Sequence, residues 1–307
     1  MKIAIIGRTE ILYETVELFL SKGFLIPLII TSKEATEYTK TSKDFEKLAN
    51  KIGAKYIYTN KLDEYKEEIK KTNCEIAVSL NYSSIISQSV IELFPLGVLN
   101  AHGGDLPRYR GNACQAWAII NGEKKIGLCI HSMIGGEVDS GNIIDREYLD
   151  IDINTKITTI YEWFNHKIPK MFLISVIKLQ KNPSYVLEVQ SKNAKEALRC
   201  YPRIPEDGKI DWNKSSTEIL RLINASNKPY SGAYCFYEDK KLIIWDAELY
   251  EDNEVYLAEV GQVSNIEKNG TIIVITGNGK LKINEIEHDE FIGNPSEKIK
   301  SIRKRLL

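Results

Sequence analysis

The chain has no excess of positive charge: 41 Lys and Arg stand against 42 Asp and Glu, a formal net charge of -1. Proteins that grip a long nucleic acid usually carry a basic excess, so the balance counts against such a partner. No apolar run approaches the roughly 20 residues that cross a bilayer, so no membrane span is expected. The five cysteines, Cys74, Cys114, Cys129, Cys200 and Cys235, are odd in number and form no C-x-x-C. That argues against a disulfide framework or a cysteine zinc site and for a reducing, cytoplasmic setting. Sequons such as Asn213-Lys214-Ser215 then carry no glycan. No paired ligand spacing such as H-x-x-x-H occurs, and no metal is expected. The opening MKIAIIG shows no cleavage site, so no secretory leader is expected. Gly7 is followed by RTEIL rather than the glycines of G-x-G-x-x-G, so no dinucleotide cradle is expected.

The remaining composition is globular, with 43% hydrophobic and 27% charged residues over 307 positions. That length allows one large domain or two moderate ones. KIAII, FLIPLII, AKYIYT, EIAVSL and GVLNAH read as short buried strands. Between them EILYETVELFLSK, DFEKLANKIG, DEYKEEIKK and SQSVIELF read as helices. This alternation predicts a parallel sheet with helices on both faces. IGLCIHSMI and GNIIDREYLDI close the core near residue 153. The following run, TKITTIYEWFNHKIPKMFLISVIKLQK, predicts two helices or one kinked at Pro169. From about residue 198 the strands shorten and turn signals crowd in, among them Glu238-Asp239, Asn269-Gly270 and Asn278-Gly279. Such dipeptides between apolar runs mark hairpins. Residues 1–198 are therefore expected to form an α/β domain with its linking helices, and residues 199–307 a small β-rich domain.

Chemistry concentrates where GVLNAH runs into a glycine-rich loop. Asn100 and His102 lie two apart on one strand terminus, so they share a face. Strand ends are where α/β proteins place ligands. Asp139 follows at a distance in GGEVDSGNII. An amide can donate to a developing oxyanion, an imidazole can carry a proton near neutral pH, and a carboxylate can tune that imidazole. The trio suits attack of an amine on a carbonyl-level carbon. His131, inside IGLCIHSMI, reads instead as a satisfied strand residue. Arg8 after the first strand, and Arg108 and Arg110 in RYRGN, are candidate anion contacts.

NAHGGDLPRYRGNACQAWAIINGEKKIGLCIHSM followed by VDSGNII resembles the core of the formyltetrahydrofolate-dependent formyltransferases. That family reads N-x-H, L-P-x-x-R-G, A-I-x-x-G and, about three dozen residues on, D-x-G. PEDGKIDWNKSSTEILRLINASNKPYSGAY is similar to the start of the OB-like domain in its longer members. The resemblance implies a Rossmann-like parallel-sheet domain followed by a β-rich OB-like one. It implies Asn100, His102 and Asp139 as the catalytic trio, with no metal and no covalent adduct. N10-formyltetrahydrofolate, the implied co-substrate, would lie against residues 79–86, involving Leu80, Asn81, Tyr82, Ile85 and Ile86. Gly136 and Val138 would meet it from the loop before Asp139. Many members read H-x-S-L-L-P where this chain has His102-Gly-Gly-Asp-Leu-Pro107, so Gly104 and Asp105 are departures.

Three acceptor amines occur in that family. Glycinamide ribonucleotide enzymes usually have one domain and a phosphate loop that GRTEIL is not. Methionyl-tRNA formyltransferases share the length but carry a longer basic insertion after the second strand. Here that region is TSKEATEYTKTSKD, without arginine and balanced by acids. The expected acceptor is therefore a dTDP- or UDP-linked amino sugar of surface-polysaccharide synthesis (lipopolysaccharide O-antigen), a 4-amino-4,6-dideoxy sugar in particular. Arg8, Gly104, Asp105, Arg108 and Arg110 are its candidate contacts. Amino-sugar members imply a homodimer. Methionyl-tRNA formylation stands as the alternative, and a non-catalytic folate-binding or regulatory protein as a reading of another class.

Overall fold

The computed structural model describes residues Met1–Leu307. Two compact units emerge. The first comprises Met1–Cys114, Ile126–Leu149 and Tyr161–Cys200, and the second Gln115–Lys125, Asp150–Ile160 and Tyr201–Leu307.

In the first unit β1 (Lys2–Gly7), β2 (Leu25–Thr31), β3 (Lys55–Tyr58), β4 (Ile76–Leu80) and β5 (Val98–His102) pair in parallel. Helices α1 (Glu10–Ser21), α2 (Ser42–Ile52), α3 (Lys66–Lys71) and α4 (Gln88–Ile91) alternate with them. The apolar runs form strands because both faces are covered: β4 is buried at every position. One side of the sheet packs Ala4, Ile6, Leu28, Ile30, Ala77 and Val98 against Ile69, Val90 and Phe94.

After β5 the chain forms the two-residue strand β6 (Arg110–Gly111), helix α5 (Cys114–Asn121), β7 (Lys125–Ser132) and β8 (Ile143–Asp150). The sheet order is β3-β2-β1-β4-β5-β7-β8. The sheet is mostly parallel, as expected; β7 runs antiparallel to β5. A parallel return needs a crossover helix laid back along the sheet. The eight-residue α5 does not supply one, since Gln115–Lys125 cluster with the second unit. The run around Pro169 is a single helix, α6 (Ile157–Lys181). Ile168, Met171, Phe172 and Val176 are buried beside the proline, and that packing holds the helix across the missing N–H. The short β9 (Arg199–Cys200) then pairs in parallel with β6.

The second unit holds α7 (Ser216–Ala225) and strands β10 (Ala233–Tyr237), β11 (Lys240–Tyr250), β12 (Val263–Ile266), β13 (Ile272–Ile275), β14 (Lys280–His288) and β15 (Phe291–Gly293). Glu238 and Asp239 both take positive φ, 50° and 63°, and close the β10–β11 hairpin. Turns of that kind match the twist of the flanking strands. The antiparallel order is β10-β11-β14-β13-β12, with β15 on the far part of β14. Helix α7 starts in a capping box: Ser215 Oγ accepts from the Glu218 N–H, and the Glu218 carboxylate accepts from the Ser215 N–H. Its Ile219, Leu220 and Ile223 pack on Leu242, Ile244 and Ile283 of the sheet. The chain thus pairs an α/β unit with a mostly parallel sheet and an antiparallel β-rich unit.

Candidate active site

Strand order reverses between β1 and β4, so the crevice for ligands opens beyond their carboxyl ends. β5, beside β4, carries the reactive side chains out at the same end. Register places Ser79 of β4 against Asn100, and Asn100 against His131 of β7. Partners directly opposite in a sheet point to the same face. Asn100, His102 and His131 therefore converge, and the Asp139 carboxylate stands between the two rings. Its Oδ2 lies 3.5 Å from His102 Nδ1 and its Oδ1 3.5 Å from His131 Nε2. The His102 and His131 rings meet edge to face at 6.2 Å.

The hydrogen bonds fix how these groups are protonated. His102 Nε2 is 2.6 Å from the Tyr109 carbonyl. A carbonyl only accepts, so Nε2 carries a proton and the neutral ring keeps its lone pair on Nδ1, towards Asp139. His131 Nδ1 is 2.9 Å from the Ser132 carbonyl and must likewise carry a proton. His131 Nε2 then accepts from the Asn100 amide at 3.3 Å. This turns the Asn100 NH₂ group towards His131 and leaves its second N–H to donate elsewhere.

Burial is the largest influence on His102 and pushes the imidazole below its ordinary 6.5; His131 and Arg110 add to that, against the pull of Asp139 and the Tyr109 carbonyl. Burial alone would raise Asp139. Attraction to His102 and to His131, together with the Gly111 N–H at 2.8 Å, outweighs it, holding the carboxyl well below the usual carboxylate range. The attraction to either ring operates only when that ring carries a second proton, whereas the Gly111 N–H acts throughout. At neutral pH the site thus presents a carboxylate beside a neutral imidazole with a bare Nδ1. A proton arriving there forms an imidazolium that Asp139 stabilises in a poorly solvated site.

Two glycines are demanded by close approach. A Cβ on Gly104 would stand 2.4 Å from the Tyr109 carbonyl oxygen and 2.6 Å from His102 Nε2. A Cβ on Gly141 would stand 1.8 Å from the Ser132 carbonyl oxygen. The loops on either side of His102 and Asp139 therefore fold tightly against the strands. Asp139 itself adopts φ 50°, turning its side chain back to the sheet. The buried Gln190 holds that turn, donating through Nε2 to the carbonyls of Asp139 at 2.9 Å and Gly141 at 2.6 Å. Its Oε1 accepts from Arg110 at 2.7 Å.

The other sequence candidates lie as follows. Arg8, at the end of β1, donates through Nε to the Asn81 carbonyl at 2.7 Å and also bonds the Lys33 carbonyl. Asn81 takes φ 51°, and Ile85 is exposed on the same segment at 72%. The Tyr82 hydroxyl donates to the Thr59 carbonyl at 2.8 Å. Leu80 and Ile86 are buried, Ile86 in the core against Ala4 and Val90. Gly136 is exposed with open space around it, and Val138 is half-buried. Asp105 and Arg108 line a different groove, of about 660 Å³, with Arg146, Tyr148, Glu188 and Lys195; none of Asn100, His102 and Asp139 borders it.

Sequence reasoning set His131 aside as a satisfied strand residue and missed Gln190. The signal for His131 was a polar residue interrupting an otherwise apolar strand. Gln190 carried no signal, since it sits in a segment without periodicity.

Fold and site together present an α/β unit in which an amide, two imidazoles and a carboxylate converge at a strand end. The chain belongs to the formyl transferase family: that family's profile matches residues 1–177, and the formyl transferase C-terminal domain matches residues 203–292. It is 27% identical over 304 residues to a methionyl-tRNA formyltransferase of Malacoplasma penetrans, covering 98% of this chain and 92% of that one. It is 29% identical over 262 residues to the bifunctional polymyxin resistance protein ArnA of Wigglesworthia glossinidia brevipalpis, 81% of this chain but only 38% of ArnA. The solved N-formyltransferase from Helicobacter canadensis, in complex with folinic acid and dTDP-3-aminofucose, has the same fold. Its TM-score is 0.68 at 20% identity, covering 92% of this chain and 98% of that one.

Proposed function

We propose that the chain moves a formyl group from N10-formyltetrahydrofolate to the amino group of a nucleotide-linked amino sugar, with dTDP or UDP as the nucleotide. The observation that carries the chemistry is the convergence of Asn100, His102 and Asp139 at the end of β5. The free N–H of Asn100 donates to the oxygen that gains charge as the amine adds to the formyl carbon. Such a donor typically contributes 10²–10³ in rate. His102 Nδ1 takes the proton released by the amine and returns it to the folate N10 as the formyl–N10 bond breaks, with Asp139 stabilising the imidazolium in between. His131 orients the Asn100 amide. In this reading the folate lies in the crevice at the ends of β1 and β4. Asn81 and the exposed Ile85 meet it from one side, and the open loop at Gly136 and Val138 from the other. The donor supplies the activated formyl group; the chain's residues orient it and handle charge and proton.

The acceptor is inferred from the connection after β2. Between Thr31 and Asp44 it holds three lysines and three acids. It is also tied down. Glu10 accepts from the Thr39 N–H at 3.2 Å, and Asn81 donates to the Tyr38 hydroxyl at 3.2 Å. A short, neutral, fastened loop suits a compact nucleotide sugar better than an acceptor stem. The near full-length similarity to a methionyl-tRNA formyltransferase supports initiator methionyl-tRNA as the second reading.

The test is a panel of dTDP- and UDP-linked 3-amino and 4-amino sugars incubated with N10-formyltetrahydrofolate and enzyme, followed by mass spectrometry for an added formyl group. Charged initiator tRNA runs in parallel. Formylation of a sugar and none of tRNA is expected. Formylation of tRNA with every sugar inert would replace this reading by the second. Folate binding without turnover on any amine would leave a binding protein.

A further inference from the structure

Arg146, on β8, keeps only 10% of its side chain exposed, on the groove it lines with Asp105 and Tyr148, and hydrogen-bonds none of Asn100, His102, His131 and Asp139. Its guanidinium instead gathers the loop that follows His102. One terminal nitrogen bonds the Asp105 carboxylate and lies 3.2 Å from the Tyr148 hydroxyl. The other donates to the Leu106 carbonyl at 2.7 Å and to the Glu188 carboxylate at 3.0 Å. The Tyr148 hydroxyl also donates to Asp105, at 2.9 Å. Glu188 is itself laced to β8, its carbonyl accepting from the Ile143 N–H at 2.8 Å. Beneath the loop Leu106 packs on Cys129 and Ile143. Residues 104–106 are thus clamped to β8 by a forked cation and to β7 by apolar packing.

The clamp matters because of Tyr109, three residues on. Its φ is 57°, in the left-handed region that a bulky aromatic residue rarely adopts. Such strain persists only where the surroundings over-determine it. This conformation presents the Tyr109 carbonyl to His102 Nε2 at 2.6 Å. The carbonyl holds the ring as the Nε2–H tautomer and so leaves Nδ1 basic towards Asp139. Fixing residues 104–106 at one end, as Gly111 on Asp139 fixes the other, leaves the loop little freedom to relax.

We propose that Arg146 is a positioning residue for formyl transfer: with Asp105 and Glu188 it anchors the loop whose Tyr109 carbonyl sets the tautomer of His102. Asp105 is then a loop anchor rather than an acceptor contact. Arginine is required for the double grip, since a lysine offers no planar fork.

The experiment uses full-length enzyme with ¹⁵N-labelled histidine. The His102 imidazole is assigned by comparison with His102→Gln, and its ring-nitrogen shifts report the tautomer. In the parent enzyme a single Nε2–H form is expected at neutral pH. In Arg146→Met the shifts should move towards a mixture of tautomers, kcat should fall roughly tenfold, and KM for the folate should hold within about twofold. Arg146→Lys should recover part of both effects. Asp105→Asn keeps the Leu106 and Glu188 contacts and is the milder variant should Arg146→Met fail to fold; smaller shifts in the same direction are expected. Folded variants with parental His102 signals and parental kcat would overturn the proposal and leave Arg146 a stabilising residue. The imidazole signals need no acceptor amine, so an inert sugar panel would count against the acceptor reading alone.

Discussion

Asn100 and His131 face each other across the antiparallel β5–β7 pair, with Nδ2 3.3 Å from Nε2. The Ser132 carbonyl fixes the proton on His131 Nδ1, so His131 Nε2 can only accept. Asn100 is thereby held with its amide nitrogen inward. His131→Phe removes that acceptor while keeping a ring in the strand. It should lower kcat by roughly tenfold, less than the 10²–10³ expected for Asn100→Ala. The double variant should be no worse than Asn100→Ala, because His131 acts through Asn100. Multiplying losses in steady-state kinetics would instead give His131 its own contact with the reactants.

The pH dependence follows from two groups. Burial lowers His102, and imidazole charge and the Gly111 N–H lower Asp139 against its burial. The active form is neutral His102 beside ionised Asp139. kcat/KM should therefore rise with pH as His102 loses its second proton, with the midpoint of the rise below the ordinary 6.5. Stability carries the same sign. The folded ring binds its proton more weakly than the unfolded one, so this contribution is present above 6.5 and lost as pH falls towards the lowered folded value. Asp139→Asn removes the attraction that opposes the lowering. His102 should then titrate at still lower pH, with a much reduced plateau rate. An upward move in an NMR titration would show that Asp139 does not favour the imidazolium.

The sequence made the parallel half of the fold legible, because buried strands between amphipathic helices leave one reading. It also made Asn100, His102 and Asp139 visible, as polar residues beside glycines where an apolar strand stops. His131 was not visible in the same way. It lies at the end of an apolar strand, one residue before β7 stops, and its place beside Asn100 depends on an antiparallel register that no local pattern encodes. The antiparallel direction of β7 is set by the same register, because the helix before it, α5, groups with the other unit instead of crossing back along the sheet. Arg146 meets Asp105 across 41 positions and Glu188 across 42, separations over which spacing says nothing.

Gly141→Ala tests the close packing behind Asp139. Its Cβ would fall 1.8 Å from a main-chain oxygen, so β7 or the turn must shift. Overpacking of this kind costs about 1–3 kcal/mol. Thermal unfolding should show a lowered midpoint, and turnover should drop further than the loss of folded protein explains, because the turn also aims Asp139. Parental stability and turnover would mean that the turn yields freely.

Trypsin should nick the chain first at Lys192 or Lys195, which lie in an exposed stretch without regular structure. The nicked pieces should nevertheless co-elute. The second unit is assembled from residues on both sides of the cut. Asn224 donates to the Ile153 carbonyl at 2.8 Å, and Lys156 pairs with Asp246. Gel filtration after nicking is expected to show one peak that splits only in denaturant. Two folded fragments separating under native conditions would place the unit boundary at the cut.

The acceptor reading has a consequence in salt. A protein that neutralises several phosphates of a nucleic acid releases their counterions, and its affinity falls steeply as salt rises. A nucleotide sugar offers a single diphosphate. With a net charge of -1 and a balanced connection after β2, the chain has little to gain from a long polyanion. KM for the amino sugar should therefore rise only about two- to fivefold between 50 and 200 mM salt, against roughly 10³ or more for a binder making six or more phosphate contacts. Steady-state assays across that range decide the matter. A steep slope would mean that the true acceptor is a polyanion, and methionyl-tRNA would take the place of the sugar while the arrangement of Asn100, His102 and Asp139 stayed as it is.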